Sequence, residues 1–153
     1  VPDSRDSIGF LVADVARLMR RAFQARLEGG PITYAQARAL VNIASREGMR
    51  QVDLADLLET QPITVARLVD QLGAAGLVER RADPADRRAY RLHLTPAARP
   101  RLAEIRAVSE AVQRQALADL SPAGATRTTE GLRRMRETLS GPRRGTRRAP
   151  PTD

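Results

Sequence analysis

The side chains of this chain that could do chemistry are mostly arginines and amides, and their spacing suits recognition of anions and bases. Gln61, Thr64, Arg67 and Gln71 recur three or four residues apart, so a helix through them carries all four on its outward side. Pro62 would fall in the first turn of that helix, where a missing N–H costs nothing. Free backbone N–H groups and the positive end of the helix dipole favour phosphate there. A guanidinium placed like Arg67 can grip guanine O6 and N7 together, worth ~1–3 kcal/mol of discrimination. A second cluster, Asp86-Arg87-Arg88, falls at the tip of a candidate hairpin. There a carboxylate two residues from a guanidinium can hold it in one rotamer and limit the entropy lost on binding.

Other chemistries are poorly supplied. The chain has no Cys, which excludes a disulfide framework, a thiol nucleophile, an iron–sulfur site and a thiol switch. Its one His, His93, cannot build a His-rich metal site and reads as an exposed strand residue. Glu79, Asp83 and Asp86 lie among arginines, which suits ion pairing better than acid–base work. No catalytic residue, metal or cofactor is therefore expected, and an enzyme is the poorest of the available readings. The formal charge of +8 and sequence pI of 11.4 point instead to a polyanionic partner. All 26 basic residues are Arg, which with abundant Ala, Pro and Gly reflects a GC-rich genome first and phosphate recognition second.

The elements that must position these groups are helical. An apolar fraction of 42% with only 3% aromatics implies one aliphatic core, in one domain or two small ones sharing it. Ile8, Leu11, Val12, Val15, Leu18, Met19, Ala22 and Phe23 predict a helix over about 6–27, stopped by Gly29-Gly30-Pro31. Thr33 and Gln36 read as a capping box for a second helix carrying Leu40, Val41, Ile43 and Ala44 to near Gly48. A short helix over 51–58 turns Val52, Leu54, Ala55 and Leu58 inward. A break at Glu59-Thr60 leads to the Pro62 helix, with Ile63, Ala66, Leu68, Val69 and Leu72 as its apolar set and a stop at Gly76. Two short helices joined by a tight turn suggest a helix-turn-helix. Strands over 77–81 and 89–94 follow, with a turn from Asp83 to Arg88, and a basic hairpin in this position makes a winged helix.

Beyond the hairpin, Thr95-Pro96 opens a long helix to about Leu120, with Leu102, Ile105, Val108, Val112, Ala116 and Leu117 as its stripe and Pro100 fraying its first turn. Ser121-Pro122 restarts the chain into a last helix bearing Leu132, Met135 and Leu139. From Ser140 onward apolar periodicity ends. Arg143, Arg144, Arg147 and Arg148 against Asp153 give this expected disordered tail a charge of +3. No run approaches the roughly 20 apolar residues of a membrane span, and no basic-then-apolar leader opens the chain, so the expected address is cytoplasmic.

The run from Ile63 to Thr95 resembles the signature of the MarR/SlyA family of bacterial winged helix-turn-helix transcriptional regulators. Its marks are Arg67 in the recognition helix, the junction from Leu72 to Gly76-Leu77-Val78, the Asp-Arg-Arg wing at 86–88, and Leu94-Thr95 before a helix. Helix order extends the resemblance over about 8–139, and the ARLMRR and VDQL segments lean toward the SlyA-like branch. The resemblance implies a homodimer whose first and last helices interlock, reading a pseudo-palindromic operator in double-stranded DNA. Recognition helices would enter successive major grooves and wings the flanking minor grooves, with Arg88 matching the family's minor-groove arginine.

On that reading the chain divides into a dimerisation helix (1–30), a DNA-binding lobe (31–95), C-terminal dimerisation helices (96–139) and a basic tail (140–153). The expected DNA contacts are Gln61, Pro62, Thr64, Arg67, Gln71, Asp86, Arg87 and Arg88. The resemblance further implies a repressor released by a small phenolic or anionic ligand. Arg17 and Arg20 match positions that hold an aromatic carboxylate in SlyA-like proteins, while Ala37 and Val41, replacing aromatic and His side chains, imply a more apolar ligand. Two alternatives stay open, a winged-helix module that binds protein and a general DNA-binding protein without an effector.

Overall fold

The structure is a computed structural model that describes residues 4–141. The expected basic tail lies outside the described residues from 142 onward. The fold is mainly helical with a small three-stranded antiparallel sheet. After a 3-10 turn at Ser4–Asp6 come α1 (Ile8–Leu27), α2 (Tyr34–Ser45), β1 (Met49–Arg50), α3 (Gln51–Leu58), α4 (Pro62–Ala74), β2 (Val78–Asp83), β3 (Asp86–Leu94), α5 (Ala98–Ala116) and α6 (Pro122–Leu139). The chain divides into two compact units after Arg114, within α5.

Local chemistry sets most of the element ends in the first unit. Ser7 Oγ accepts the Phe10 N–H at 3.3 Å and caps α1. Thr33 and Gln36 form the expected capping box, with Thr33 Oγ1 accepting the Gln36 N–H at 3.2 Å and Gln36 Oε1 the Thr33 N–H at 2.9 Å. Glu59 makes the break between α3 and α4 by adopting φ +52°, a left-handed conformation costly for a side chain with a Cβ. Gly76 reverses the chain after α4 at φ +70°, which glycine adopts freely.

The core of this unit is aliphatic, as the composition requires. Leu40 and Ile43 of α2, Leu54 of α3, Val65, Val69 and Leu72 of α4 and Leu92 of β3 are its largest fully buried side chains. Ala98 and Ile105 of α5 join the same cluster, and Phe23 and Leu27 of α1 pack against it. The buried set on α4 is Val65, Leu68, Val69 and Leu72, so Ile63 is out of phase with it and 65% exposed, against the sequence expectation. Val52 and Val41 are likewise exposed rather than inward.

The sheet runs in the order β1-β3-β2. β2 and β3 pair from Val78↔Leu94 to Ala82↔Tyr90, with an irregularity between Ala82 and Asp83. Both strands run further toward the tip than expected, because 82–83 and 86–88 carry no apolar alternation. The turn shrinks accordingly to Pro84-Ala85. β1 pairs Met49 with Leu92 and Arg50 with Arg91, a two-residue strand too short to leave a periodic trace. α5 starts at Ala98, two residues after Pro96, with Pro100 still in its first turn.

The second unit contains α6, capped by Ser121 Oγ accepting the Gly124 N–H at 3.1 Å. Thr126, Thr128, Thr129 and Thr138 each donate a hydroxyl to the carbonyl four residues back at 3.0 Å, so these hydroxyls are satisfied within the helix. No residue of α6 is buried, and Leu132, Met135 and Leu139 are exposed.

Candidate nucleic-acid interface

The residues singled out on α4 all reach solvent. Gln61 occupies the N-cap, Pro62 the first turn, and Thr64, Arg67 and Gln71 follow on exposed positions. None of the described residues pairs a carboxylate with Arg67, so its guanidinium is available to an anion, whereas Thr64 and Val65 already donate their N–H groups to the Gln61 carbonyl and Pro62 has none. Asp70, also on α4, is engaged by the hairpin: Arg80 Nη2 lies 2.7 Å from its Oδ1 and also donates to Gln51 Oε1 of α3 at 3.2 Å. Arg80 therefore ties β2 to both helices of the helix-turn-helix.

A second tie lies at Asp83, the one charged residue buried among the described ones, 2% exposed. Its Oδ1 accepts the Ala85 N–H at 3.0 Å and shapes the wing turn. Its Oδ2 accepts from Arg50 Nη2 at 3.1 Å and faces Arg91 Nη2 at 3.2 Å. The Ala85 N–H hydrogen bond, followed by those from Arg91 and Arg50, holds the Asp83 carboxyl below the usual carboxylate range despite the opposing effect of burial. Arg91 also donates to the Gly48 carbonyl at 2.9 Å, so one side chain joins the wing to the α2–β1 corner. Arg50 meanwhile precedes α3, and its N–H donates to Asp53 Oδ2 at 3.2 Å. The wing is thus braced against the helices by charge as well as by the β1 pairing.

Toward its tip the hairpin changes character. Asp86, Arg87 and Arg88 are all exposed, and neither arginine has a carboxylate partner among the described residues. Asp86 acts on the backbone, its Oδ1 accepting the Arg88 N–H at 3.0 Å, rather than gripping the Arg88 guanidinium as the sequence suggested. Arg81, by contrast, is paired with Glu79.

His93 also departs from expectation. It is half-buried, its Nδ1 lying 3.0 Å from Glu47 Oε2 while Glu47 Oε1 accepts the Leu94 N–H at 3.1 Å. Its ring covers Gly48, which adopts φ +77° and where an added Cβ would stand 3.4 Å from the imidazole. No spacing rule could have found these contacts, since Asp83 meets Arg50 across 33 positions and Glu47 meets Leu94 across 47.

A cavity of about 480 Å³ opens elsewhere in the first unit, between α1, α2 and α5. Phe23 and Tyr34 line it, edge to face at 5.6 Å between centroids. Arg38 lies 5.9 Å above the Tyr34 ring, and Ala37, Val41, Leu102 and Ile105 supply apolar wall. Arg106 also lines it and has no carboxylate partner among the described residues. Arg17 and Arg20 are not in this wall, and Arg17 Nε donates to Asp14 Oδ1 at 3.0 Å. Among the described residues no group of His, Asp and Glu could hold a metal ion, and no helix is long and apolar enough to cross a membrane.

An exposed helix start over a buried aliphatic core, followed by a braced basic hairpin with unpaired arginines at its tip, defines a winged helix-turn-helix of the kind that binds DNA. Comparison with known proteins narrows the class. The family model described as the MarR family matches residues 32–90. A crystal structure of MarR superposes with a TM-score of 0.80 at 25% identity, covering 92% of this chain and 95% of that one. A proposed transcriptional regulator from Pseudomonas aeruginosa is 31% identical, with a TM-score of 0.66, over 88% of this chain and 97% of that one. A proposed regulatory protein for the hcr operon of Thauera aromatica is 36% identical over 73 residues, 48% of this chain, and the match spans only 42% of that relative's length. The chain belongs to the MarR family of DNA-binding transcriptional regulators, whose members are regulators and not enzymes.

Proposed function

We propose that the protein is a homodimeric repressor that binds a pseudo-palindromic operator in double-stranded DNA and is released by a small anionic aromatic ligand. The observation that carries this reading is the sorting of its arginines. Those that brace the fold have acidic partners, while Arg67 on α4 and Arg87 and Arg88 at the wing tip have none among the described residues. In this reading α4 enters the major groove with Gln61, Pro62, Thr64, Arg67 and Gln71, and the wing lays Arg87 and Arg88 along the minor groove on a turn set by Asp86. A second copy would cover the apolar faces that α1 and α6 expose, among them Leu11, Val15, Leu132 and Leu139. Such a regulator would work in the cytoplasm, on the chromosome.

The effector part rests on the cavity between α1, α2 and α5. Its aromatic and aliphatic wall suits a ring, and Arg38 and Arg106 suit a carboxylate. Arg17 and Arg20 stand outside that wall, so the ligand contacts are assigned to Arg38 and Arg106. Fluorescence anisotropy with promoter DNA from beside the protein's own gene, and random DNA as control, tests the whole reading. Binding some 10³-fold tighter to the promoter, weakening steeply with salt and reversed by an aromatic acid, is the expected result. Equal affinity for both DNAs would remove operator specificity, and no binding at either salt would leave a protein-binding module.

A further inference from the structure

Ile63 is an anomaly on α4. It is 65% exposed, and among the described large apolar side chains only Leu139 is more so. At 3.6 residues per turn it lies opposite the buried stripe of Val65, Leu68, Val69 and Leu72, so the core has no use for it. Helix propensity gives no reason either, since an exposed first-turn position is better served by an unbranched or polar residue than by a β-branched one. Its neighbours, however, are the polar side chains of the recognition surface. Thr64 adjoins it, and Arg67 stands one turn further along the same outward line.

In a major groove one group rewards an aliphatic contact, the C5-methyl of thymine, which projects from the base edge and marks T·A against every other pair. The same contact penalises cytosine, whose N4 amine would lose water and gain no acceptor. We propose that Ile63 is a specificity-determining residue that covers a thymine methyl in each half-site, adjacent to the base pair addressed by Arg67. The inference rests on α4 lying in the major groove. Within that frame it assigns the second letter of recognition to an apolar side chain.

The test uses the full chain. An operator is first selected from a pool of random duplexes, then each thymine is replaced in turn by deoxyuridine, which differs only by the missing methyl. Affinities are measured by anisotropy for the wild type and for Ile63→Ala. Loss of one buried carbon group is expected to weaken wild-type binding about fourfold per half-site and about fifteenfold when both half-sites are changed. Ile63→Ala should bind the thymine and deoxyuridine operators equally, and its melting temperature should not fall, because the side chain is not part of the core. A deoxyuridine penalty that persists undiminished in Ile63→Ala would overturn the assignment. So would a tightly bound operator with no methyl-sensitive position, which leaves the groove reading of α4 intact. Failure to enrich any sequence would overturn both together.

Discussion

Arg88→Ala isolates the wing. The side chain is exposed at the hairpin tip and has no carboxylate partner among the described residues, while the Arg88 backbone N–H donates to Asp86 Oδ1. Its removal therefore leaves the fold with its braces at Asp83 and Asp70 intact, and the melting temperature should stay within a degree or two. On the proposed reading a dimer on DNA would lose two guanidinium contacts. A charge-assisted hydrogen bond at a wet interface contributes about 1–1.5 kcal/mol, so two cost about 2–3 kcal/mol, or roughly 30- to 150-fold in Kd. If each arginine neutralises one phosphate, the slope of log K against log salt should also become shallower by about 1.8. Anisotropy titrations at four salt concentrations, with sedimentation to confirm the dimer, give both quantities. Arg81→Ala is the matched control, since Glu79 already neutralises that guanidinium; its loss should be within a few-fold. Equal effects of the two substitutions, or none from Arg88→Ala, would refute the division between bracing and binding arginines.

Four further outcomes follow from the same contacts. Asp83→Asn should lower thermal stability by leaving Arg50 and Arg91 facing a neutral group. Because the folded Asp83 carboxyl lies below the ordinary aspartate range, its contribution is present above about pH 4 and lost as pH falls through the folded value, so the variant should show a shallower acid-unfolding limb in urea. Glu59→Gly should raise stability by about 0.5–1 kcal/mol in denaturant titrations, since glycine removes the penalty of φ +52° at the turn. Leu11→Glu with Val15→Glu should convert the dimer to a monomer in analytical ultracentrifugation and abolish operator binding, whereas an unchanged dimer would place the interface elsewhere. Arg106→Ala should retain DNA binding but raise at least tenfold the concentration of aromatic acid needed for release.

The sequence was most legible where local chemistry decides structure. The Thr33–Gln36 box, the Glu59 break, the Pro62 start and Gly76 each act within a few residues, and each marks its boundary in the structure. It was least legible where phase or distance decides. Ile63, Leu68, Val69 and Leu72 look like an apolar set on composition, yet Val65 is the member that fits a stripe at three- and four-residue spacing, and Ile63 points the opposite way. Tyr90, Leu92 and Leu94 alternate with Arg91 and His93, but the tip ends of the strands at 82–83 and 86–88 carry no such pattern, and there the hairpin extends beyond its expected limits. Asp83 read as turn chemistry, which it performs through Ala85, but its burial between Arg50 and Arg91 depends on a strand pairing no spacing encodes.

That last contact changes how the basic composition should be read. A formal charge of +8 suggests a polyanion partner but cannot say which of the 26 arginines meet it. On α4 and the wing, neighbouring carboxylates perform the sorting. Within the winged helix Arg80 and Arg81 each have a carboxylate of their own and Arg50 and Arg91 share Asp83, so much of their charge is offset before a phosphate approaches. Arg67, Arg87 and Arg88 keep their full charge, and they stand at the two places where a winged helix approaches DNA. On α4 and the wing, bracing and binding thus use one residue type, distinguished by whether an acid lies within reach. An acid introduced beside Arg67, as in Gln71→Glu one turn away, should therefore weaken operator binding about as much as losing the arginine itself. It should do so without altering the melting temperature, since an exposed i,i+4 pair contributes only about 0.3–0.5 kcal/mol to the fold.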